Sequence, residues 1–204
     1  MNDAEFDRAL MAAFFQVVAE RGWRAASPAA AARTAGLSMT RARERFASRT
    51  VLLLRFGRLA DLAALADPPS EGTVRDGLIY LLMRRFDVLQ AHRSGVLALL
   101  RALPTDPAAA LLLAFATRRS MRWMLEAAGV PATGLYGELR VKGLLAVWLW
   151  TVRAWQADET EAMAATEAAL DAALRRAESA VGWLGWRDRP PAQPPRQEGP
   201  DPAA

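Results

Sequence analysis

Apolar residues in this chain recur at three- and four-residue spacing, and no stretch alternates long enough to make a strand. That pattern predicts an all-α protein. The first stripe, Phe6, Leu10, Ala13, Phe14, Val17 and Val18, marks a helix over about 4–21 with one buried face. Gly22 ends it and Trp23 turns back toward the core. Ser27-Pro28 opens a short second helix, serine as N-cap and proline in the first turn, which Gly36 stops after Ala35. Ser38 caps a third helix that reaches about Phe46, and a leucine-rich fourth covers 50–66 before Asp67-Pro68-Pro69-Ser70 breaks the chain. Helices over 73–92, 95–103, 107–128, 134–157 and 159–184 complete a set of nine. Asp158, Glu159 and Glu161 fall in the first turn of the last, where its dipole favours acids. The expected organisation is a helix-turn-helix domain at 1–49, a connecting helix at 50–66 and a larger helical domain at 73–186. A proline-rich polar tail, expected to be disordered, covers 187–204.

Composition narrows the function classes. The chain is 52% hydrophobic, enough for a well-buried core, and has no cysteine. Disulfides, thiolate catalysis and cysteine metal sites are thereby removed, which fits a reducing cytoplasm. The acidic start Met1-Asn2-Asp3-Ala4-Glu5 is unlike a signal peptide. The most apolar runs, 108–117 and 143–152, are about half the length of a membrane span, so they read as core helices and membrane contact is not expected. His92 is the sole histidine, so neither a metal nor a cofactor site is expected; at a helix end it suits stabilisation of a C-terminus. No nucleophile–base pair, phosphate loop or carboxylate constellation is present, which argues against an enzyme.

Charge distribution says more than net charge, which is only +4. Residues 21–58 carry nine arginines against Glu44 alone, a local +8. A basic segment ahead of a mildly acidic body is the asymmetry of a protein that meets a polyanion with one end. All but one of the 26 basic residues are arginine, so part of this excess reflects a general arginine bias. The two short helices around Ala35-Gly36-Leu37-Ser38 have the proportions of a DNA-binding helix-turn-helix.

Gly22-Trp23, Ala32, Ala35-Gly36-Leu37-Ser38, Phe46, Ser48-Arg49 and Leu52 together resemble the TetR family of transcriptional regulators. That family's pattern is a glycine-aromatic end to helix one, an alanine-x-x-alanine-glycine-valine-serine turn, and a third helix closing on phenylalanine, serine, lysine and leucine. The match covers residues 4 to about 56. The resemblance implies a cytoplasmic, ligand-responsive regulator, a repressor, whose homodimer puts its third helices into successive major grooves of an operator. The DNA-contacting set is then Ser27, Ser38, Met39, Thr40, Arg41, Arg43, Arg45 and Arg49, with Ala42 and Phe46 turned inward. Arg41 and Arg45, four apart, are expected to include the base-reading residue, and Arg43 mainly to hold phosphate. The chain departs from the pattern where Arg43 replaces a tyrosine, Arg45 an aromatic or histidine, Thr40 a glycine, and Ala31 and Ala42 larger aliphatics. Those departures leave a second reading open. The lipid-binding accessory proteins of coenzyme Q biosynthesis are similar to TetR proteins in fold but no longer bind DNA. Tyr136-Gly137-Glu138-Leu139-Arg140 before a long apolar helix is similar to their C-terminal half.

The resemblance also implies a cavity for a small apolar effector. Met83, Phe86, Phe115, Met121, Met124, Tyr136 and Trp148 are the candidate lining, ordinary core being the alternative for each. Trp123 and Trp150 belong to the same aromatic set. The last two helices, with Leu144, Trp148 and Trp155 facing Met163, Leu170 and Leu174, are expected to form an intermolecular four-helix bundle; the alternative is that they cover the monomer core. Gly182-Trp183-Leu184-Gly185-Trp186 is expected to dock back on its own domain.

Overall fold

Asn2 starts the first helix by a reciprocal cap: its side chain accepts from Glu5 N–H and the Glu5 carboxylate accepts from Asn2 N–H, both at 2.9 Å. The computed structural model describes residues 1–67 and 71–181; Pro68-Pro69-Ser70, Gly182–Trp186 and the 187–204 tail lie outside them. Among the described residues the chain is all helical, with nine α-helices and two short 3-10 turns, Trp23–Ala25 and Leu103–Thr105. The helices are α1 (Asp3–Arg21), α2 (Pro28–Thr34), α3 (Met39–Arg45), α4 (Arg49–Leu65) and α5 (Val74–Gln90). They continue with α6 (Arg93–Ala102), α7 (Pro107–Ala127), α8 (Gly134–Ala157) and α9 (Ala164–Val181). No single described helix is long and apolar enough to cross a membrane.

The predicted caps form. Ser27, Ser38 and Asp106 each accept the backbone N–H three residues on, from Ala30, Arg41 and Ala109. Ser48 does the same for Val51, so α4 begins at Arg49. The whole α1 stripe is buried, and each large apolar side chain so buried contributes about 1.5–3 kcal/mol. Met11 and Phe15 are buried as well, because α1 is covered from a second side by α6. A Cβ at Gly95 of α6 would lie 2.3 Å from the Phe15 carbonyl oxygen, so only glycine lets these backbones approach. α1 is thus the shared wall between α2–α3 and the larger C-terminal layer of α4–α9.

His92 sits between α5 and α6, stacked on Phe15 at 5.3 Å and edge-on to Phe56 at 5.6 Å. Burial pushes its pKa down, favouring the neutral ring, so it packs the α1–α4–α6 junction and does not serve as the expected cationic C-terminal cap.

The last helix also differs from expectation. α9 begins at Ala164, five residues later than its predicted start at 159, and Asp158 is the C-cap of α8. The Asp158 carboxylate accepts from Thr160 and from both the N–H and the hydroxyl of Thr166. With Met163 at a positive φ of 51°, this closes a turn that folds α9 back along α8. The acids read as a first helical turn therefore belong to the hairpin between the helices.

Candidate nucleic-acid interface

α2 and α3 are held at their mutual angle by Gly36 (φ 63°) and by Leu37 N–H donating to the Ala32 carbonyl at 2.8 Å. Ala30, Ala31, Ala32, Ala42 and Phe46 are buried in the same core as Phe6, Leu10 and Phe14, and small side chains at Ala31 and Ala42 stand where larger aliphatics were expected. Ser27 and Ser38 spend their hydroxyl oxygens on the caps.

The charged residues of α3 divide into two faces. Met39, Thr40, Arg43 and Glu44 are exposed, and the two pairs four apart, Met39 with Arg43 and Thr40 with Glu44, make adjacent rows on the outer side. Arg43 is anchored by donating to its own chain at Ala47 O, 2.8 Å away. Arg41 and Arg45 are half-buried on the side facing α1. Arg45 grips Asp7 with Nε at 2.5 Å and Nη2 at 2.7 Å, and its Nη1 reaches Asp3. Arg41 pairs with Asp3, donates to the Met1 carbonyl at 3.2 Å, and lies 4.6 Å over the Phe6 ring. Arg55 of α4 also donates to Asp7, at 3.0 Å, and lies over Phe46. The hydrogen bond from Arg41 holds the Asp3 carboxyl below the ordinary carboxylate range, and Asp7 pushes the Arg45 guanidinium further up.

This arrangement corrects the expected outward presentation of α3: Arg41 and Arg45 face α1, and Arg43 alone of the three faces solvent. The physical reason is a double match of helical spacing. Asp3 and Asp7 are one turn apart on α1, Arg41 and Arg45 one turn apart on α3, and the buried stripes of the two helices bring the pairs face to face. The signal was in the sequence, in two acids four apart on the edge of the α1 stripe.

Arg49 is committed elsewhere. Its guanidinium lies 4.6 Å over Trp23 and donates to Asp106 at 3.3 Å, and Asp106 accepts from Trp23 Nε1 at 2.8 Å while capping α7. The Trp23 hydrogen bond is the first cause of a lowered Asp106 pKa. Asp106, read from sequence only as a cap, joins the end of α1 to the start of α7. Four of the nine arginines between 21 and 58 are therefore ion-paired within the chain. Arg21, Arg24, Arg33, Arg43 and Arg58 are exposed and have no ion pair among the described residues, which shrinks but does not abolish the basic surface.

The apolar candidates do not line one space. Phe86, Met121, Met124 and Trp148 are buried core, with Phe86 stacked on Trp148 at 4.5 Å. Phe115 and Tyr136 are 62% and 64% exposed. Met83 borders a shallow surface depression of about 370 Å³ together with Ile79, Tyr80, Asp76 and Glu167. Below Trp148 lies a group that sequence reading missed: Arg85, 4% exposed, pairs with Asp61 of α4, which also accepts from Ser120 of α7 at 2.7 Å. Burial lowers the Arg85 pKa to about 10, leaving it charged at neutral pH.

The seam residues also need correction. Trp148 and Leu174 are buried within their own chain, at 5% and 2% exposure. The open face of α8 carries Leu139, Gly143, Ala146, Leu149 and Trp150 instead, and among the described residues nothing beyond its own helix lies within 4 Å of a Cβ placed at Gly143.

Neither a family model nor a curated protein matches the sequence. Solved structures do. A TetR-family transcriptional regulator from Streptomyces coelicolor aligns with a TM-score of 0.59 at 19% identity, covering 91% of this chain and 87% of its own. A transcriptional regulator from Rhodococcus sp. Rha1 aligns at 0.54 and 21% identity, covering 85% of this chain and 96% of its own. A protein from Mesorhizobium loti assigned to the TetR family of regulators aligns at 0.52 and 16% identity, over 88% and 98%.

Proposed function

We propose that this chain, which has the fold of TetR-family transcriptional regulators, is itself a DNA-binding regulator, a cytoplasmic ligand-responsive repressor with no catalytic chemistry. The observation that carries the reading is the outer face of α3. A capped two-helix turn holds Met39, Thr40, Arg43 and Glu44 outward, with Arg33 on α2 and Arg24 in the Trp23–Ala25 turn exposed nearby in sequence. Arginine offers a bidentate fork to guanine and threonine a hydroxyl to phosphate. In this reading Arg43 moves from phosphate holder to principal base reader.

Two copies would associate through α8 and α9, placing two α3 helices on successive major grooves. Gly143 and Ala146 on α8 and the exposed Ala165 and Ala168 on α9 leave room for close helix approach, with the exposed Trp150 as apolar surface to bury. A small apolar effector would enter by displacing core side chains, among which the flexible Met121 and Met124 share one core with the stacked Phe86 and Trp148. An effector that prefers the conformation with the α3 helices misplaced lowers operator affinity by linkage.

Selection of genomic fragments by the purified protein, followed by salt titration, tests the reading. Specific fragments should be retained, with affinity falling on a log–log slope of about −0.9 per phosphate contact. Failure to retain any fragment above random duplex at low salt overturns it. The rival, a lipid-binding protein of the same fold, is favoured by one observation: Phe115, Leu135, Tyr136 and Leu139 expose large apolar surface on α7 and α8. Co-purifying lipid without DNA binding would establish that rival.

A further inference from the structure

We infer that Asp3 and Asp7 form an acidic clasp that withholds Arg41 and Arg45 from DNA, making the first turns of α1 a specificity-determining element of the head. The inference rests on the reading of α3 as a DNA-recognition helix and adds what regulates that face.

Arg45 directs Nε, Nη1 and Nη2 at carboxylate oxygens. A guanidinium has five N–H donors in a rigid fork, and a bidentate contact to guanine or phosphate needs a free edge of it. Three of the five N–H groups of Arg45 are so engaged, and the Nε–Nη2 edge is closed by Asp7. Arg41 has its two terminal nitrogens on Asp3 and on the Met1 carbonyl, so phosphate or base must compete with both for the end of its fork. Arg55 shares Asp7, which ties the same carboxylate to α4.

The clasp is built to yield. Asp3 is exposed, at 64% of its side chain, and exposed pairs are screened by salt and contribute little to stability. Asp7 is 16% exposed and is held by two arginines. A phosphate backbone competes with Asp3 for Arg41 and Arg45 more readily than with Asp7. On random duplex the clasp keeps Arg41 and Arg45 from the electrostatic contact, leaving Arg43 as the α3 arginine with no ion pair among the described residues. Non-specific binding is carried almost wholly by such contacts, so suppressing them raises the ratio of specific to non-specific affinity.

The test uses the full chain and two probes, a random-sequence duplex and a heparin matrix, with Asp3→Asn, Asp3→Glu and the Asp3→Asn/Asp7→Asn pair. Asp3→Asn should steepen the salt slope on random duplex by about 0.9 and raise low-salt affinity several-fold. The double variant should steepen it by roughly two such steps. Asp3→Glu should restore the wild-type slope, which a merely structural role would not require. Asp3 is exposed, so its variants decide the matter even if circular dichroism shows the double variant unfolded. Wild type that binds duplex with a slope unchanged in Asp3→Asn overturns the clasp and leaves the DNA-binding reading standing. Duplex binding absent from every variant, with heparin elution shifted to higher salt by Asp3→Asn, overturns the DNA reading and leaves the clasp standing. If heparin elution is unshifted as well, both fall.

Discussion

Arg43 and Arg45 stand two positions apart on α3 with opposite surroundings: Arg45 holds Asp7 through Nε and Nη2, and Arg43 is exposed and donates to the Ala47 carbonyl of its own chain. Two helical positions are a 200° rotation, so one residue faces α1 and the other faces outward.

The two should therefore fail differently. Arg43→Ala is expected to leave the melting temperature within about a degree and weaken operator binding by about 1–3 kcal/mol, relaxing preference at one base pair. Arg45→Ala is expected to lower thermal stability by a few degrees, because Asp7 loses its two-pronged partner, with little change in preferred sequence. Selection on a randomised operator and thermal melts check both. A changed preference in Arg45→Ala with none in Arg43→Ala would reverse the roles.

Assembly separates neighbours on α8 in the same way. Trp150 is 53% exposed and Trp148 5% exposed against Phe86. Trp150→Glu is expected to give folded monomers with unchanged helical circular dichroism. Trp148→Ala is expected to cost about 3–5 kcal/mol of stability, the usual loss for a buried aromatic. Light scattering and urea unfolding measure the two. A wild-type monomer at micromolar concentration would refute the seam.

The Asp61–Arg85 pair ties α4 to α5 inside the core, with Ser120 of α7 on the same carboxylate. Asp61→Leu leaves the buried Arg85 charge without its partner and should destabilise by about 3–5 kcal/mol. Asp61→Leu with Arg85→Met removes both charges and should recover most of that loss. Urea midpoints of the two singles and the double form the cycle, and additive losses would show that the pair does not couple the helices.

Acid should weaken the α8–α9 hairpin. Asp158 is held well below the ordinary carboxylate range, first by the Thr160 hydroxyl and then by Thr166 N–H. Its folded pKa is depressed, so its contribution is complete above the unfolded value near 4 and fades as pH falls through the folded value. Melting temperature should decline from about pH 5 downward, and Asp158→Asn should be less stable at pH 7 with a flatter decline. Equal slopes for wild type and variant would rule out this residue as the source.

The all-α class and every helix of the set could be read from the chain itself, because apolar spacing of three and four, Ser27-Pro28, Ser38, Asp106-Pro107 and Gly22 act within a turn or two of their own positions. The inward turn of Ala42 and Phe46 follows from the same local periodicity. The exception among the helices is the start of α9, displaced because Asp158 caps Thr166 eight residues away. Which arginines face outward was a different kind of question. Its answer depends on Asp3 and Asp7, some 38 residues away in sequence, meeting Arg41 and Arg45 across packed helices. The same holds for Arg85 beneath Trp148, His92 between two phenylalanines, and Gly95 against the Phe15 carbonyl. Helical periodicity states how wide a buried stripe is and not what lies against its edges. Polar side chains on those edges take their partners from whichever helix the core places beside them, so only the tertiary structure decided them.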